Sequence, residues 1–148
     1  AEEHYSEQVK CLILLDPTAP LRKIDDLTGA FNLFMNGDCD AVVSASVARR
    51  NPYFNMVQKK KTYYTLIGNS KETIGRRQDA PQVYDLNTVV WVYSRVAVIE
   101  QGARIPEKTL LYEIPVARAI DLDSEFDFDL LDIILCRKKS HLNIKDEK

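Results

Sequence analysis

At 148 residues, 45% hydrophobic and 28% charged, with 5 Gly and 6 Pro, the chain has the composition of one compact domain able to bury a substantial core. Its formal net charge of −2 supplies no global positive field, which argues against a dedicated nucleic-acid binder and against attraction to an anionic membrane. Cys11, Cys39 and Cys136 are odd in number and widely spaced with no C-x-x-C, so buried free thiols in a reducing compartment are expected.

The start, Ala1-Glu2-Glu3-His4, is acidic and reads as no signal peptide. No apolar run approaches the roughly 20 residues of a membrane span. The expectation is a cytoplasmic protein.

Lys10 to Leu15 (KCLILL) is a continuous apolar run that halts at Asp16-Pro17, the pattern of a central strand covered on both faces. Asp16-Pro17-Thr18-Ala19-Pro20 then forms a loop stiffened by two prolines, placing polar Asp16 and Thr18 at a strand end. A helix is expected from about Lys23 to Asn36, since Ile24, Leu27, Ala30, Phe31 and Phe34 recur at helical spacing and Gly37 suits its end. Asp40 to Val47 (DAVVSASV) is a second strand.

From Pro52 to Leu86 the pattern changes, and these residues read as an excursion from the main sheet, an arm or hairpin. Tyr63 to Ile67 is a strand within it, ending at the turn Gly68-Asn69-Ser70. The excursion also carries Gly75-Arg76-Arg77-Gln78-Asp79-Ala80-Pro81. Adjacent arginines in a loop can clamp phosphate or carboxylate by forked hydrogen bonds, although a solvated basic loop is the plainer reading.

Leu86 to Tyr93 (LNTVVWVY) is strongly β-forming, and a helix from about Ser94 to Gly102 follows. Thr109 to Ile114 and Ala117 to Leu122 are strand-like. Ser124 opens a last amphipathic helix, with Asp127 three residues on as a variant capping box and Arg137-Lys138-Lys139 at its cationic end. Strands alternating with helices imply an α/β domain with a largely parallel sheet.

The best chemical signal is Ile120-Asp121-Leu122-Asp123-Ser124-Glu125-Phe126-Asp127. If 117–122 is a strand, alternation turns Asp121 and Asp123 to one side, at the carboxyl edge where open α/β sheets bind ligands. Two close carboxylates repel unless a cation lies between them, and hard oxygen ligands suit Mg2+. Acids near a helix start also stabilise its dipole without further function. A calcium loop is rejected, because Phe126 stands where that loop needs glycine. His4 and His141 lie near the ends and give no catalytic histidine constellation.

Taken in order, these segments resemble the acylneuraminate cytidylyltransferases, the CMP-sialic acid synthetases. LLDPTAPLR is similar to that family's LLQPTSPLR, CDAVVSASVARRNP to its strand with a trailing Asn/His-Pro, RRQDAPQVYDLNTVVWVY to its R-Q-x-x-P…N-G-A-I-Y-I, and IDLDSEFD to its ID-x-D-x-E-x-D. The resemblance runs from about Leu12 to Leu135. It implies a three-layer α/β/α nucleotidyltransferase-like domain with a mixed, mainly parallel sheet and a protruding dimerisation arm at 52–86.

The implied activity joins CTP to an acidic nine-carbon 2-keto sugar with Mg2+, giving a CMP-sugar and pyrophosphate. Asp121 and Asp123 would hold the metal, with Asp16, Thr18, Arg77, Gln78 and Asn87 facing substrate and a homodimer as the assembly. Family members that use N-acetylneuraminate often carry Gln at the position of Asp16, Lys near Phe54 and Arg at Asp85, which points to a related nonulosonic acid. The family's Gly-, Arg- and Lys-rich nucleotide loop has no counterpart in these residues, so an N-terminally incomplete domain is expected. The rival readings are a non-catalytic dimeric module and, more weakly, an RNA-binding domain using Lys59 to Lys61 and Arg76-Arg77.

Overall fold

The computed structural model describes residues 8–68 and 76–143, with 138–143 by backbone only. Ala1 to His4, the turn residues Asn69 and Ser70, and Gly75 of the arginine motif lie outside the described residues. The elements in chain order are β1 (Cys11–Leu14), α1 (Ile24–Asn36), β2 (Ala41–Val47), β3 (Val57–Lys60), β4 (Tyr63–Leu66), β5 (Tyr84–Ser94), β6 (Thr109–Glu113) and α2 (Glu125–Asn143). Single helical turns occur at Arg77–Asp79, Ala97–Gln101 and Val116–Arg118.

Four strands form one sheet in the order β1-β5-β2-β6. β2 and β6 are parallel, while β5 runs antiparallel to both β1 and β2. β1, β2 and β6 therefore share a direction, as a βαβ reading requires, but β5 is inserted against them. The sheet is mixed, as expected, with three strands running one way and β5 against them. The reason is that β5 is entered by the excursion through β3 and β4 rather than by a crossover helix, so nothing forces it to run parallel.

The place of β1 is corrected. Its apolar run has the composition of an interior strand, yet among the described residues it pairs only with β5 and so forms an edge. Leu12, Ile13, Leu14 and Leu15 are all exposed.

Side-chain alternation gives the sheet two unlike faces. Val42, Val90 and Val92 point to one side, where Ala30 of α1 completes a buried cluster flanked by Leu27, Leu33 and Phe34. Close approach of α1 depends on Gly29, where a Cβ would lie 2.4 Å from the Tyr112 hydroxyl of β6. On the other side stand Ala41, Val43, Trp91, Tyr93 and Ala97. The helical turn at Ala97–Gln101, which ends at Gly102 with φ 60°, reaches that face, but no helix covers it. The sheet thus has a helix layer on one side only among the described residues.

β3 and β4 pair with each other and not with the main sheet. They form a separate hairpin whose tip turns at Lys61, φ 56°, and the excursion returns to the sheet at Tyr84, so Tyr84 to Leu86 already belong to β5. Tyr63 is 79% and Tyr64 64% exposed. α2 begins as expected, with Asp127 Oδ2 accepting from Ser124 N at 2.8 Å and from Ser124 Oγ at 2.7 Å. Its apolar side is uncovered, Phe126 being 72% and Ile133 53% exposed. Of the cysteines, Cys11 and Cys39 are half-buried, Cys136 is exposed, and all three are free thiols. No described helix is long and apolar enough to cross a membrane.

One ion pair fixes the chain that follows β6. Asp26, only 2% exposed, accepts from Arg118 and caps its own helix by accepting from Lys23 N at 2.9 Å. Burial by itself raises the Asp26 carboxyl, but the Arg118 hydrogen bond, the Lys23 N–H and the Arg118 charge outweigh it and hold the group below its ordinary range. Arg118→Ala leaves that carboxylate buried and unpaired, and we expect a loss of about 3 kcal/mol in urea unfolding. The paired change Asp26→Leu with Arg118→Met should cost less, because it strands no charge. A depressed carboxyl contributes stability above its unfolded value, near 3.9, and loses it as pH falls through the lower folded value. Acid titration of unfolding should therefore show the Arg118 effect at neutral pH and its decay below about pH 4.

Candidate functional site

The site is built around an irregularity in β5. Val43 pairs with Trp91 and Ala45 with Leu86, so the single residue Ser44 of β2 faces the four residues Asn87 to Val90. Such a bulge removes backbone groups from the ladder, and buried backbone groups need other partners. Ser44 Oγ donates to Asn87 O at 3.1 Å and accepts from Val90 N at 3.0 Å. Trp91 Nε1 donates to the same Asn87 O at 2.6 Å, and Asn87 Oδ1 accepts from Val89 N at 3.3 Å. Arg22 satisfies two further carbonyls, its Nη2 donating to Thr88 O at 3.3 Å and its Nε to Val89 O.

The same Arg22 reaches Asp16 O at 2.6 Å, tying the proline loop to the bulge. Within that loop Asp16 Oδ1 accepts from Thr18 N at 3.1 Å and Thr18 Oγ1 at 2.8 Å. These two bonds, the backbone one foremost, and the Arg22 charge hold the Asp16 carboxyl below its ordinary value. Asp16 is thus a fixed anion at the carboxyl end of β1.

The chain after β6 completes the cluster. Leu122 N donates to Thr18 O at 3.0 Å, and Thr88 Oγ1 donates to Asp121 Oδ2 at 3.2 Å. Asp121 Oδ1 is buried and has no hydrogen-bond partner. Residues 117–122 are not a strand, however. A helical turn occupies Val116–Arg118, and 119–123 have no regular structure. Pro115 and the Asp26–Arg118 pair bend the chain over α1 instead of letting it join the sheet. The alternation that would have aimed Asp121 and Asp123 alike is therefore gone. Asp121 is half-buried against Thr88, whereas Asp123 is exposed and its backbone N–H donates to Asp127 Oδ2 at 3.2 Å. Among the described residues no group of three or more His, Cys, Asp or Glu is placed to hold a metal ion.

Asp16, Thr18, Thr88 and Asp121 thus meet at one end of the sheet. Arg77, Gln78 and Asn87 do not join them directly. Arg77 Nη2 donates to Arg49 O at 2.8 Å, and Gln78 is exposed on the same turn. Asn87 is buried, its Nδ2 donating to Ser46 Oγ at 3.1 Å, and it lines a separate cavity of about 130 Å3 with Ser46, Arg49 and Asp85.

Sequence reasoning missed three residues here: Arg22, Trp91 and Arg104. Leu14, Asp16, Thr88, Trp91, Tyr93 and Arg104 line a cavity of about 250 Å3 on the helix-free face. The Arg104 guanidinium lies over the Trp91 ring, 5.3 Å from its centroid, and Tyr93 OH donates to Arg104 O at 2.9 Å. Trp91 was readable as a signal, being the single tryptophan of the sequence and standing in a β-forming run. Arg104 sits in a connecting loop and had none.

No protein-family model matches the chain. It is 34% identical over 99% of its length to a post-translational flagellin modification protein B of Campylobacter coli. It is 32% identical, again over 99% of its length, to a CMP-N,N'-diacetyllegionaminic acid synthase of Campylobacter jejuni. An N-acylneuraminate cytidylyltransferase of Streptococcus agalactiae is 26% identical over 78% of the chain. The chain spans 60% of the length of the first two relatives and 28% of the third.

The bulge yields a direct test. Ser44→Ala leaves Val90 N buried without its acceptor, and we expect a loss of about 1–3 kcal/mol in urea unfolding. Emission from Trp91, the only tryptophan, should shift in the folded variant, because its indole N–H shares the Asn87 carbonyl with Ser44.

Proposed function

We propose that this chain, a member of the acylneuraminate cytidylyltransferase (CMP-sialic acid synthetase) family, forms the sugar-binding side of an enzyme that couples CTP to a nonulosonic 2-keto sugar acid. The observation that carries the reading is the meeting of Asp16, Thr18, Thr88 and Asp121 beside a cavity of about 250 Å3. A pocket of that size suits a monosaccharide better than a macromolecule. One relative, matched over 99% of the chain, is named for a diacetyllegionaminic acid, which fits Asp16 standing where members acting on N-acetylneuraminate often have Gln.

The reaction is in-line displacement. The anomeric hydroxyl oxygen of the sugar bonds to the α-phosphorus of CTP, the bond from that phosphorus to the bridging oxygen of the β-phosphate breaks, pyrophosphate leaves, and the hydroxyl proton passes to solvent. Little covalent work falls to the protein, so its contribution is orientation of the two reactants. Thr88 and the ionised Asp16 hold hydroxyl and amide donors of the sugar, while Arg22 keeps their loop and bulge in register. The exposed hairpin β3–β4, with Tyr63 and Tyr64 outermost, serves as the arm of a homodimer.

The donor set fits Mg2+. A buried carboxylate oxygen without a hydrogen-bond partner is costly unless a cation completes it, and Asp121 Oδ1 is such an atom. Asp121, with Asp123 beside it in sequence, would hold the ion together with substrate phosphates, the usual scheme where few carboxylates are present. When bound, it supplies neutralisation of phosphate charge.

Pyrophosphate release from CTP, Mg2+ and N,N'-diacetyllegionaminic or N-acetylneuraminic acid by the intact protein tests the proposal. Asp121→Asn should lower turnover at least about a hundredfold, the upper end of what loss of even an outer partner of a metal costs. The dimer should persist. Absence of pyrophosphate with either acid in the unaltered protein, or undiminished turnover in the variant, refutes the assignment it addresses.

A further inference from the structure

Resting on the sugar-acid reading above, we infer that Arg104 receives the carboxylate of the sugar and so fixes which way round it binds. Arg104 borders two cavities. One, of about 250 Å3, is lined also by Asp16, Thr88 and Trp91, and the other, of about 310 Å3, by Leu12, Ala97 and Val98, with Tyr93 common to both. Arg104 is thus within reach of a small molecule in either cavity.

Arg104 is held in place for the role from two directions. Its carbonyl accepts from Tyr93 OH at 2.9 Å, and its guanidinium stacks over Trp91 at 5.3 Å. A guanidinium over an aromatic ring keeps N–H donors that can make a forked bond to a carboxylate. No carboxylate among the described residues forms an ion pair with it.

The polarity of the cavity sets the orientation. Asp16, an anion anchored by Thr18, repels a carboxylate and accepts from hydroxyl or amide donors. Arg104 does the reverse. A molecule carrying one carboxylate and several donor groups therefore binds with its acid group toward Arg104 and its donors toward Asp16 and Thr88. The apolar second cavity takes what extends past the carboxylate.

The alternative anion is the triphosphate of the nucleotide, and the test separates the two. The emission of Trp91, the sole tryptophan, reports on the cavity directly, without turnover. The intact protein is titrated with N-acetylneuraminic acid, N,N'-diacetyllegionaminic acid, the methyl ester of each, and CTP alone. The unaltered protein should bind an acid at least about tenfold more tightly than its ester, as expected for one charge-assisted bond. Arg104→Gln should weaken the acid about tenfold or more, leave the ester and CTP unchanged, and Arg104→Lys should fall between.

Equal binding of acid and ester by the unaltered protein overturns the assignment without recourse to any variant. So does undiminished acid binding by Arg104→Gln, or a loss confined to CTP. Binding of neither acid by the unaltered protein refutes the sugar-acid reading itself, and the assignment with it.

Discussion

Four residues of β5 stand opposite one residue of β2, and everything at the site depends on how that mismatch is satisfied. Asn87 to Val90 lose their regular ladder partners, so their carbonyls and amides turn to side chains: Ser44, Asn87, Trp91 and Arg22. Each of these does two things at once. Ser44 bridges both limbs of the bulge, Trp91 anchors its ring while lining the cavity, and Arg22 reaches past β5 to the carbonyl of Asp16. A bulge next to a binding site re-aims side chains that a regular strand would alternate. Here it presents Thr88 to Asp121 and keeps Asn87 inside.

The second organising fact is the unequal treatment of the two sheet faces. Val42, Val90 and Val92 meet a helix, and Gly29 lets that helix come close enough to touch Tyr112. The opposite face offers small Ala41 and Val43 beside large Trp91 and Tyr93. Among the described residues no helix lies across this face, and two cavities open on it, both lined by Tyr93 and Arg104. One side of the sheet supplies stability and the other supplies room.

Much of this was legible in the sequence, for reasons particular to each segment. α1, β2, β5 and β6 carry strong periodic or β-branched signals and fall within a residue or two of where those signals end. The capping of α2 by Asp127 followed from its spacing to Ser124. The approach of the proline loop to Asp121 did not, since it depends on Leu122 N finding Thr18 O across the molecule. Residues 117–122 misled because Val116, Ala117 and Ile120 look β-forming, while the contact that overrides that propensity, Asp26 with Arg118, spans 92 residues. Strand direction was hidden for the same reason, because β5 is reached by a hairpin excursion and no local signal tells which way the chain re-enters. Arg104 was invisible because a loop arginine acquires meaning only from the ring beneath it.

β1 carries a consequence of another kind. Four aliphatic side chains in succession, Leu12 to Leu15, lie along a margin whose outer backbone groups no described strand engages. Such a margin is adhesive: it templates further strands, from any chain able to lie straight beside it. This short hem also borders the cavities: Leu14 lines the one it shares with Asp16, and Leu12 lines the neighbouring one. Lysine at Ile13, which lines neither cavity, would blunt this edge without adding a charge to the lining of the pocket.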